Sequence, residues 1–250
     1  MIAAVIGKGG VGKTTVCALL LRRLLDTGQT PVLAIDADPS NCLGPALGIA
    51  AGPTLADMRE SLRDNGRPSS MSAAEWLALR AEEAIVESAG FDLLTMGRPE
   101  GKGCYCYVNN LIRDHLDRLS RAYRHTLLDC EAGLEHLSRR TSGRPDVLIC
   151  VTNRSRMGAE TIRRSLDLYA ELNGGLPPRI DLMLNQFEEG EALASEMAAL
   201  ASGAAAPFTR TFVLPRDSAI ASFESEGKSL FELSPSNPAL QVLREWEIGS

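Results

Sequence analysis

A segment near the start of the chain combines glycines, lysines and hydroxyl residues in a spacing suited to binding phosphate. Glycines reach backbone angles that other residues avoid, so successive N–H groups can curl around an anion. The segment follows a short apolar run and opens a helical pattern, and the N-terminus of a helix favours bound phosphate. The sequence therefore predicts a phosphate-binding loop between a strand and a helix. Its residues are Gly7, Lys8, Gly9, Gly10, Val11, Gly12, Lys13, Thr14 and Thr15.

Two side chains of this loop have chemistry of their own. Lys13 is expected to reach the β- and γ-phosphates of a nucleoside triphosphate, and the Thr14 hydroxyl is expected to ligate Mg²⁺. We therefore expect a P-loop that binds ATP with Mg²⁺ and hydrolyses it to ADP and phosphate. A glycine turn that only links a strand to a helix is the alternative, and it is disfavoured because the pattern and its context coincide.

Short apolar runs alternate along the chain with longer segments of helical periodicity. Strands that are apolar throughout, each followed by a helix, predict an α/β fold with a mostly parallel sheet of seven or eight strands and helices on both faces. We expect a single P-loop NTPase domain over residues 1–250, with a helical insertion at about residues 52–90. The predicted strands are Ile2–Ile6, Pro31–Ile35, Phe91–Met96, His125–Asp129, Asp146–Val151, Ile180–Asn185 and Thr209–Leu214. The predicted helices are Lys13–Asp26, Val108–Ala122, Arg156–Leu172, Glu188–Ala201 and Asn237–Trp246.

Composition and net charge indicate the cellular compartment of the protein and the kinds of partner it has. The chain carries a net charge of −6 with acidic and basic residues interspersed, which argues against nucleic acid or a membrane as a partner. We expect no targeting segment before the first strand, and no apolar run is long enough to span a bilayer. The 6 cysteines show no framework spacing, as is usual in a reducing compartment. We therefore expect a cytoplasmic protein.

Lys8 is a second lysine that the general P-loop pattern does not require. With it, the loop resembles the deviant Walker A ATPases, which include MinD, ParA, the nitrogenase iron protein and the arsenite and tail-anchored-protein ATPases. The resemblance implies a homodimer that meets across the nucleotide face, in which Lys8 of one copy contacts phosphate in the other. Such a lysine would stabilise charge on the transferring phosphoryl group. A solvated lysine beside the loop is the alternative.

Carboxylates at the ends of two predicted strands fit the same resemblance. The segment that begins at Asp36 resembles switch I, which implies that Asp38 positions the attacking water and that Asp36 lies near the Mg²⁺ shell. The segment from Asp129 to Gly133 resembles Walker B and switch II, so Asp129 would hold Mg²⁺ through water and the Gly133 N–H would sense the γ-phosphate. Glu131 departs from the small residue expected there. Turn-forming or strand-ending carboxylates are the alternative.

Contacts to the nucleobase are implied at two places. Asn185 ends the sixth predicted strand, at the position where the family's side-chain amide meets adenine. The loop containing Pro215, Arg216 and Asp217 resembles the backbone segment that cradles the base. Ordinary turn residues are the alternative at both places.

Cys104 and Cys106 are separated by one residue in a glycine-rich, cationic neighbourhood. On an extended segment their side chains share a face about 6.6 Å apart, at the far edge of disulfide geometry. A thiolate pair supplies half of the shell of a soft divalent metal, and a two-fold dimer would complete a site of four sulfurs. The residues alone leave open whether these are ligands or two incidental thiols.

Within the deviant Walker A group, the chain looks most similar to the CooC-type ATPases, the nickel-insertion accessory proteins of carbon monoxide dehydrogenase. That resemblance implies a metallochaperone that dimerises with ATP, holds Ni²⁺ or Zn²⁺ between two Cys104/Cys106 pairs and delivers nickel to carbon monoxide dehydrogenase or a related enzyme. It lies in the P-loop and in the segments 40–44, 104–106, 132–137 and 236–239.

Three other functions are compatible with the fold. An iron–sulfur reductase like the nitrogenase iron protein would take cluster ligands from separate loops, as Cys104 and Cys130 could supply. A positioning ATPase like MinD or ParA would recruit membrane or DNA, which the negative charge and the lack of a basic terminal helix disfavour. A small-molecule kinase would need an acceptor pocket that the sequence does not reveal.

Overall fold

The structure, a computed structural model, describes residues 1–50, 52–57, 68, 70–98, 116–131, 144–188, 195–201 and 207–248. Its strands are β1 (Ile2–Ile6), β2 (Val32–Ala37), β3 (Ile85–Ser88), β4 (Phe91–Thr95), β5 (His125–Cys130), β6 (Val147–Thr152), β7 (Arg179–Phe187) and β8 (Arg210–Pro215). Its α-helices are α1 (Lys13–Asp26), α2 (Leu43–Ala46), α3 (Ala73–Glu83), α4 (Arg156–Asn173), α5 (Ser195–Ala201), α6 (Ser218–Glu226) and α7 (Pro238–Leu243), and a 3₁₀ turn covers Leu230–Glu232.

The strands form one 8-stranded sheet in the order β3-β4-β2-β5-β1-β6-β7-β8. β3 runs antiparallel to β4, and all other neighbouring pairs are parallel. The predicted α/β fold with a mostly parallel sheet is therefore confirmed. Because neighbouring parallel strands end at the same edge, the segments that follow β1, β2 and β5 meet there.

The central strands of the sheet are buried on both faces, and the alternation of side chains along β1 shows how. Ala3 and Val5 pack with α1 and the end of the chain in one apolar cluster. Ala4 and Ile6 point the opposite way and pack with α4 in a second cluster. Each fully buried aliphatic side chain contributes about 1.5–3 kcal/mol relative to an exposed one. The two clusters hold the central strands, and with them the loop that follows β1, in fixed positions.

The end of the chain packs inward, and its helix is shorter than the predicted Asn237–Trp246. Asn237 caps α7, which ends at Leu243 rather than at Trp246. Trp246 is 1% exposed, and its Nε1 donates a hydrogen bond of 3.0 Å to the Oδ2 of buried Asp181. Arg179 pairs with the same carboxylate at 2.7 Å, so the indole and the guanidinium share one buried acceptor.

The segment 52–90, predicted to be a helical insertion, also contains a strand. α3 begins with a capping box between Ser72 and Glu75, a common signature of a helix N-terminus. The chain then reverses at residues 89–90, where Gly90 has a φ of 85°. This two-residue turn lets β3 pair with β4, so the helical interpretation of residues 85–88 is wrong. That residues 1–250 form a single domain stays a prediction.

Two other predicted helices fall partly outside the described residues. Of the helix predicted over residues 108–122, the structure describes residues 116–122 and shows helix over 116–120. Of the helix predicted over residues 188–201, it shows α5 at residues 195–201, and residue 188 is not helical. Among the described residues, no helix has the length and apolar character needed to cross a bilayer.

Candidate nucleotide-binding site

The P-loop lies between the end of β1 and the start of α1, and two of its glycines are required by close packing. Gly7 has a φ of 155°, and a Cβ there would lie 2.1 Å from the Val151 carbonyl oxygen. Gly12 has a φ of 88°, and its Cβ would lie 2.3 Å from Nδ2 of Asn185. Any other residue would collide with β6 or β7. By contrast, a Cβ on Gly9 meets no described atom within 4 Å.

Asn185 fixes the P-loop through a hydrogen bond. Its Nδ2 donates to the carbonyl oxygen of Val11 at 2.9 Å, and its side chain is buried where β7 passes beneath the loop. The amide predicted to meet adenine thus contacts the backbone of the phosphate loop in this structure. A contact between Asn185 and adenine stays a prediction.

Thr14 and Asp129 form the part of the site suited to a cation. The Thr14 hydroxyl donates a 2.6 Å hydrogen bond to Oδ2 of Asp129, which is 0% exposed. The other carboxylate oxygen, Oδ1, has no hydrogen-bond partner within the described part of the chain. Burial raises the pKa of Asp129 to about 7, the charges of Asp36 and Asp38 act in the same direction, and the Thr14 hydrogen bond and Lys13 oppose them.

A buried carboxylate oxygen of this kind calls for a donor or a cation. Mg²⁺ takes oxygen ligands and is held by one or two protein groups together with phosphates and water. Thr14 and Asp129 therefore fit Mg²⁺. No group of three or more His, Cys, Asp or Glu side chains suited to a metal occurs among the described residues, but Mg²⁺ bound with a nucleotide needs fewer protein ligands than that.

The two lysines of the P-loop differ sharply in exposure. Lys13, the first residue of α1, is only 7% exposed, close to the buried carboxylate of Asp129. Lys8 is exposed and makes no hydrogen bond or ion pair within the residues that the structure describes. Lys13 is thus enclosed within its own chain, whereas Lys8 is accessible from outside it, and the contacts of both lysines with phosphate stay predictions.

Asp36 holds the loop after β2 together. Its Oδ1 accepts from the Asp38 N–H at 3.1 Å and its Oδ2 from the Leu43 N–H at 2.9 Å. Asp38 lies half-buried in this loop and accepts from the Ser40 N–H at 2.9 Å. The register of β2 and β5 places Asp36 beside Asp129. Both carboxylates predicted near Mg²⁺ are thus neighbours, and Asp36 also sets the path of the chain around Asp38.

The predicted base loop follows β8. Pro215 ends the strand, and the Arg216 N–H donates to the carbonyl oxygen of Phe187 at 2.7 Å, which fastens the loop to β7. Asp217 caps α6 by accepting from the Ala219 N–H at 2.7 Å. Its other oxygen accepts from Nδ2 of Asn237 at 2.7 Å. The Asp217 side chain therefore holds α6 to the start of α7, and the roles of this loop toward the base stay predictions.

Glu224 is a site residue that the sequence analysis missed. On α6, its Oε1 accepts a hydrogen bond from the hydroxyl of Thr15, the last residue of the P-loop segment. Its partner lies 209 residues away in sequence, so no local pattern around Glu224 indicates this contact.

Several predicted residues lie outside the described part of the chain, namely Cys104, Cys106 and Gly133. Of the described cysteines, Cys42 is exposed, whereas Cys17, Cys130 and Cys150 are buried, and all four are free thiols. Burial raises the pKa of the Cys17 and Cys150 thiols, so both are protonated core residues.

Residues 2–231 match the CobQ/CobB/MinD/ParA nucleotide binding domain. The chain belongs to this family. Family members bind nucleotides, and the P-loop, the Thr14–Asp129 pair and the sheet described above are the features expected for that activity. The predicted resemblance to MinD and ParA is thus confirmed at the level of the family.

Individual relatives extend the comparison. The chain is 44% identical over 176 residues to the "Uncharacterized ATP-binding protein MJ0685" of Methanocaldococcus jannaschii. The aligned residues cover 69% of each chain. It is 32% identical over 265 residues to the carbon monoxide dehydrogenase accessory protein CooC of Rhodospirillum rubrum, covering 94% of this chain and 91% of that one. The fold is similar to that of the septum site-determining protein MinD complexed with Mg-ADP from Pyrococcus horikoshii OT3, with a TM-score of 0.67, 21% identity and coverage of 97% and 92% of the two chains.

Proposed function

We propose that this member of the family hydrolyses Mg-ATP as a homodimer and uses the cycle to assist nickel insertion into carbon monoxide dehydrogenase or a related nickel enzyme. The observation that carries the hydrolytic part is the buried Thr14–Asp129 pair beside the P-loop, in which Oδ1 of Asp129 has no hydrogen-bond partner among the described residues. The accessory role is supported by the likeness to CooC over nearly the whole chain and by the Cys-x-Cys pair.

In the proposed reaction, the site residues have separate roles. Lys13 binds the β- and γ-phosphates, and Thr14 and Asp129 hold Mg²⁺. Held by these two residues, Mg²⁺ would supply positive charge that neutralises the charge developing on the phosphate oxygens. Asp38, held by the loop that Asp36 organises, orients the attacking water. Lys8 of the second copy adds a positive charge at the transferring phosphoryl group.

Metal delivery requires that the nucleotide and the metal be coupled. In the proposed dimer, Cys104 and Cys106 of each copy supply two of four sulfur ligands to a nickel or zinc ion that is cargo rather than a resident cofactor. If ATP stabilises the dimer, the metal must bind the ATP-bound form more tightly, and the metal must in turn tighten ATP binding by the same factor. Hydrolysis would then weaken the site and release the metal to the target enzyme.

The hydrolytic proposal is tested with Lys8→Ala. Loss of a charge supplied by the second copy should lower the rate of phosphate release by about a thousandfold while ATP binding stays within about twofold. Lys228→Ala is the matched control, because Lys228 is an exposed lysine paired with Glu226 at 2.6 Å on α6's C-terminal side. Hydrolysis by Lys8→Ala at the wild-type rate would contradict the role of Lys8.

The metal proposal is tested with Cys104→Ala, with Cys42→Ala as the control that removes an exposed thiol. Cys104→Ala should lose about one nickel or zinc ion per dimer and keep nucleotide binding, whereas Cys42→Ala should keep both. Metal content and mass are measured with and without a non-hydrolysable ATP analogue. Unchanged metal in Cys104→Ala would overturn the proposal. A visible charge-transfer band after anaerobic purification would favour the iron–sulfur reductase, and co-sedimentation with DNA or vesicles would favour a positioning ATPase.

A further inference from the structure

The contact between Thr15 and Glu224 joins two segments that are 209 residues apart in sequence. Thr15 directly follows the proposed Mg²⁺ ligand Thr14, and its hydroxyl points to the carboxylate of Glu224 on α6. Glu224 is exposed to solvent except for this contact, so core packing does not force it into this position. This polar contact thus links the P-loop to α6.

This contact resembles the one that a nucleotide would make. A carboxylate and a phosphate are both anionic groups whose oxygens accept hydrogen bonds. The loop of N–H groups at the N-terminus of α1 attracts anions of either kind. Glu224 therefore occupies an acceptor position on Thr15 at an anion-binding loop. It also brings a negative charge to the place that a triphosphate must approach, and like charges at short range repel.

α6 has few contacts that would prevent its movement. None of its residues is fully buried, and only Ile220 and Phe223 pack partly against the core. The helix ends at Gly227, whose φ of 67° reverses the chain. An element with so little buried apolar surface is stabilised mainly by its caps and polar contacts. Loss of the Thr15 contact would therefore change the position or order of α6 at small cost.

The segment after α6 contacts the loop that follows the proposed switch. Ser229 packs against Gly48 so closely that a Cβ on Gly48 would lie 2.7 Å from the Cβ of Ser229. Gly48 follows α2, and α2 begins at Leu43, whose N–H is held by Asp36. Packed residues thus connect the end of α6 to the loop that carries Asp38.

We propose that Glu224 is an autoinhibitory latch: in the nucleotide-free protein its carboxylate occupies an anion position on Thr15, and ATP displaces it and releases α6. The inference rests on the proposed binding of Mg-ATP at the P-loop. It makes α6 a sensor of bound nucleotide, coupled through Ser229 and Gly48 to the segment around Asp38.

The test compares Glu224→Gln and Glu224→Ala with the matched control Glu226→Gln, measured by calorimetric titration with ATPγS and Mg²⁺. Glu226 lies two residues further along α6, where it pairs with Lys228 and accepts from Ser222 at 2.5 Å, away from Thr15. Both Glu224 variants should bind about threefold to tenfold more tightly than wild type, as expected for removing one partly exposed charged contact, and Glu226→Gln should bind as wild type does. In a Thr15→Ala background, the gain from Glu224→Ala should disappear.

Hydrogen exchange supplies a second measurement. Amides of α6 should exchange faster in wild type when the nucleotide is bound, and at the nucleotide-bound rate in Glu224→Ala without nucleotide. Unchanged or weaker binding in both Glu224 variants, while wild type binds and Lys13→Ala does not, would overturn the latch and leave the ATP site standing. Failure of wild type itself to bind ATPγS would overturn both.

Discussion

The P-loop is fixed between buried strands, whereas α6, on the other side of the site, has no fully buried residue. Gly7 lies against the backbone of β6, and Asn185 of β7 holds the carbonyl group of Val11. α6 is held by the Asp217 cap and by the contact between Glu224 and Thr15. The difference indicates two roles. The P-loop, here called the phosphate side, is preorganised to bind phosphate, whereas α6, here called the α6 side, can change position when a nucleotide binds.

The largest loss of stability is expected from a substitution on the phosphate side, at Gly7. In Gly7→Ala the new methyl group meets the Val151 carbonyl oxygen at 2.1 Å and the backbone must keep a positive φ, so we expect a loss of about 2–4 kcal/mol in stability. ATP binding should be lost with it. Denaturant unfolding gives the stability, and Gly9→Ala, whose Cβ meets no described atom, should unfold as wild type does. Equal stability of the two variants would mean that the loop is not held as described.

Asp129→Asn tests whether the phosphate side binds a cation through the Asp129 carboxylate. The variant keeps an acceptor for Thr14 but has no charge to hold Mg²⁺, so hydrolysis should fall about a hundredfold. The rise in melting temperature produced by Mg-ATP should shrink toward that produced by ATP alone. Asp26→Asn at the exposed end of α1 is the control. An Asp129→Asn protein that keeps the full effect of Mg²⁺ would remove Asp129 from the site.

The pH dependence of stability tests the edge of the sheet opposite the site, where β5 begins at His125. Burial, together with the N-terminal amine and Arg124, lowers the pKa of His125 to about 4. The stability that the neutral ring contributes is complete above its unfolded pKa of about 6.5 and is lost as the pH falls through about 4. Between pH 7 and pH 4 wild type should therefore lose more stability than His125→Asn, as measured by thermal unfolding. Parallel stability profiles for the two proteins would show that the ring is not responsible.

The smallest effect is expected on the α6 side. Asp217→Ala removes the cap of α6, a change of about 1 kcal/mol that should open this helix locally. Amides of α6 should then exchange faster, while global unfolding, which also loses the hydrogen bond to Asn237, changes by no more than about 1.5 kcal/mol because no apolar side chain is removed. Asp57→Ala, an exposed local cap elsewhere in the chain, should leave exchange in α6 as it is. A global loss as large as that of Gly7→Ala would mean that the two sides are not distinct.

Patterns local in sequence predicted most of the phosphate side. Glycine spacing gave the P-loop, and continuous apolar runs gave the central strands, because both depend on neighbours along the chain. β3 was missed because four partly exposed residues directly after a helix carry little periodic signal. Its pairing depends on the turn at Gly90 and on β4.

The parts of the site that the sequence did not predict depend on distant contacts. Asn185 was identified, but its hydrogen bond to Val11 crosses 174 residues and follows from the order of the strands. Glu224 was overlooked because a carboxylate on an exposed helix usually faces only water, and nothing near it in sequence indicates Thr15. Such partners are found only once the fold brings the elements together.

The most direct test of the nucleotide site is a calorimetric titration of the nucleotide-free protein with ATP, with and without Mg²⁺. Mg²⁺ should strengthen ATP binding by wild type and should not strengthen it in Asp129→Asn, because the buried carboxylate and the Thr14 hydroxyl hold the cation. Binding by wild type that is the same in EDTA as in Mg²⁺, or no binding at all, would contradict this expectation.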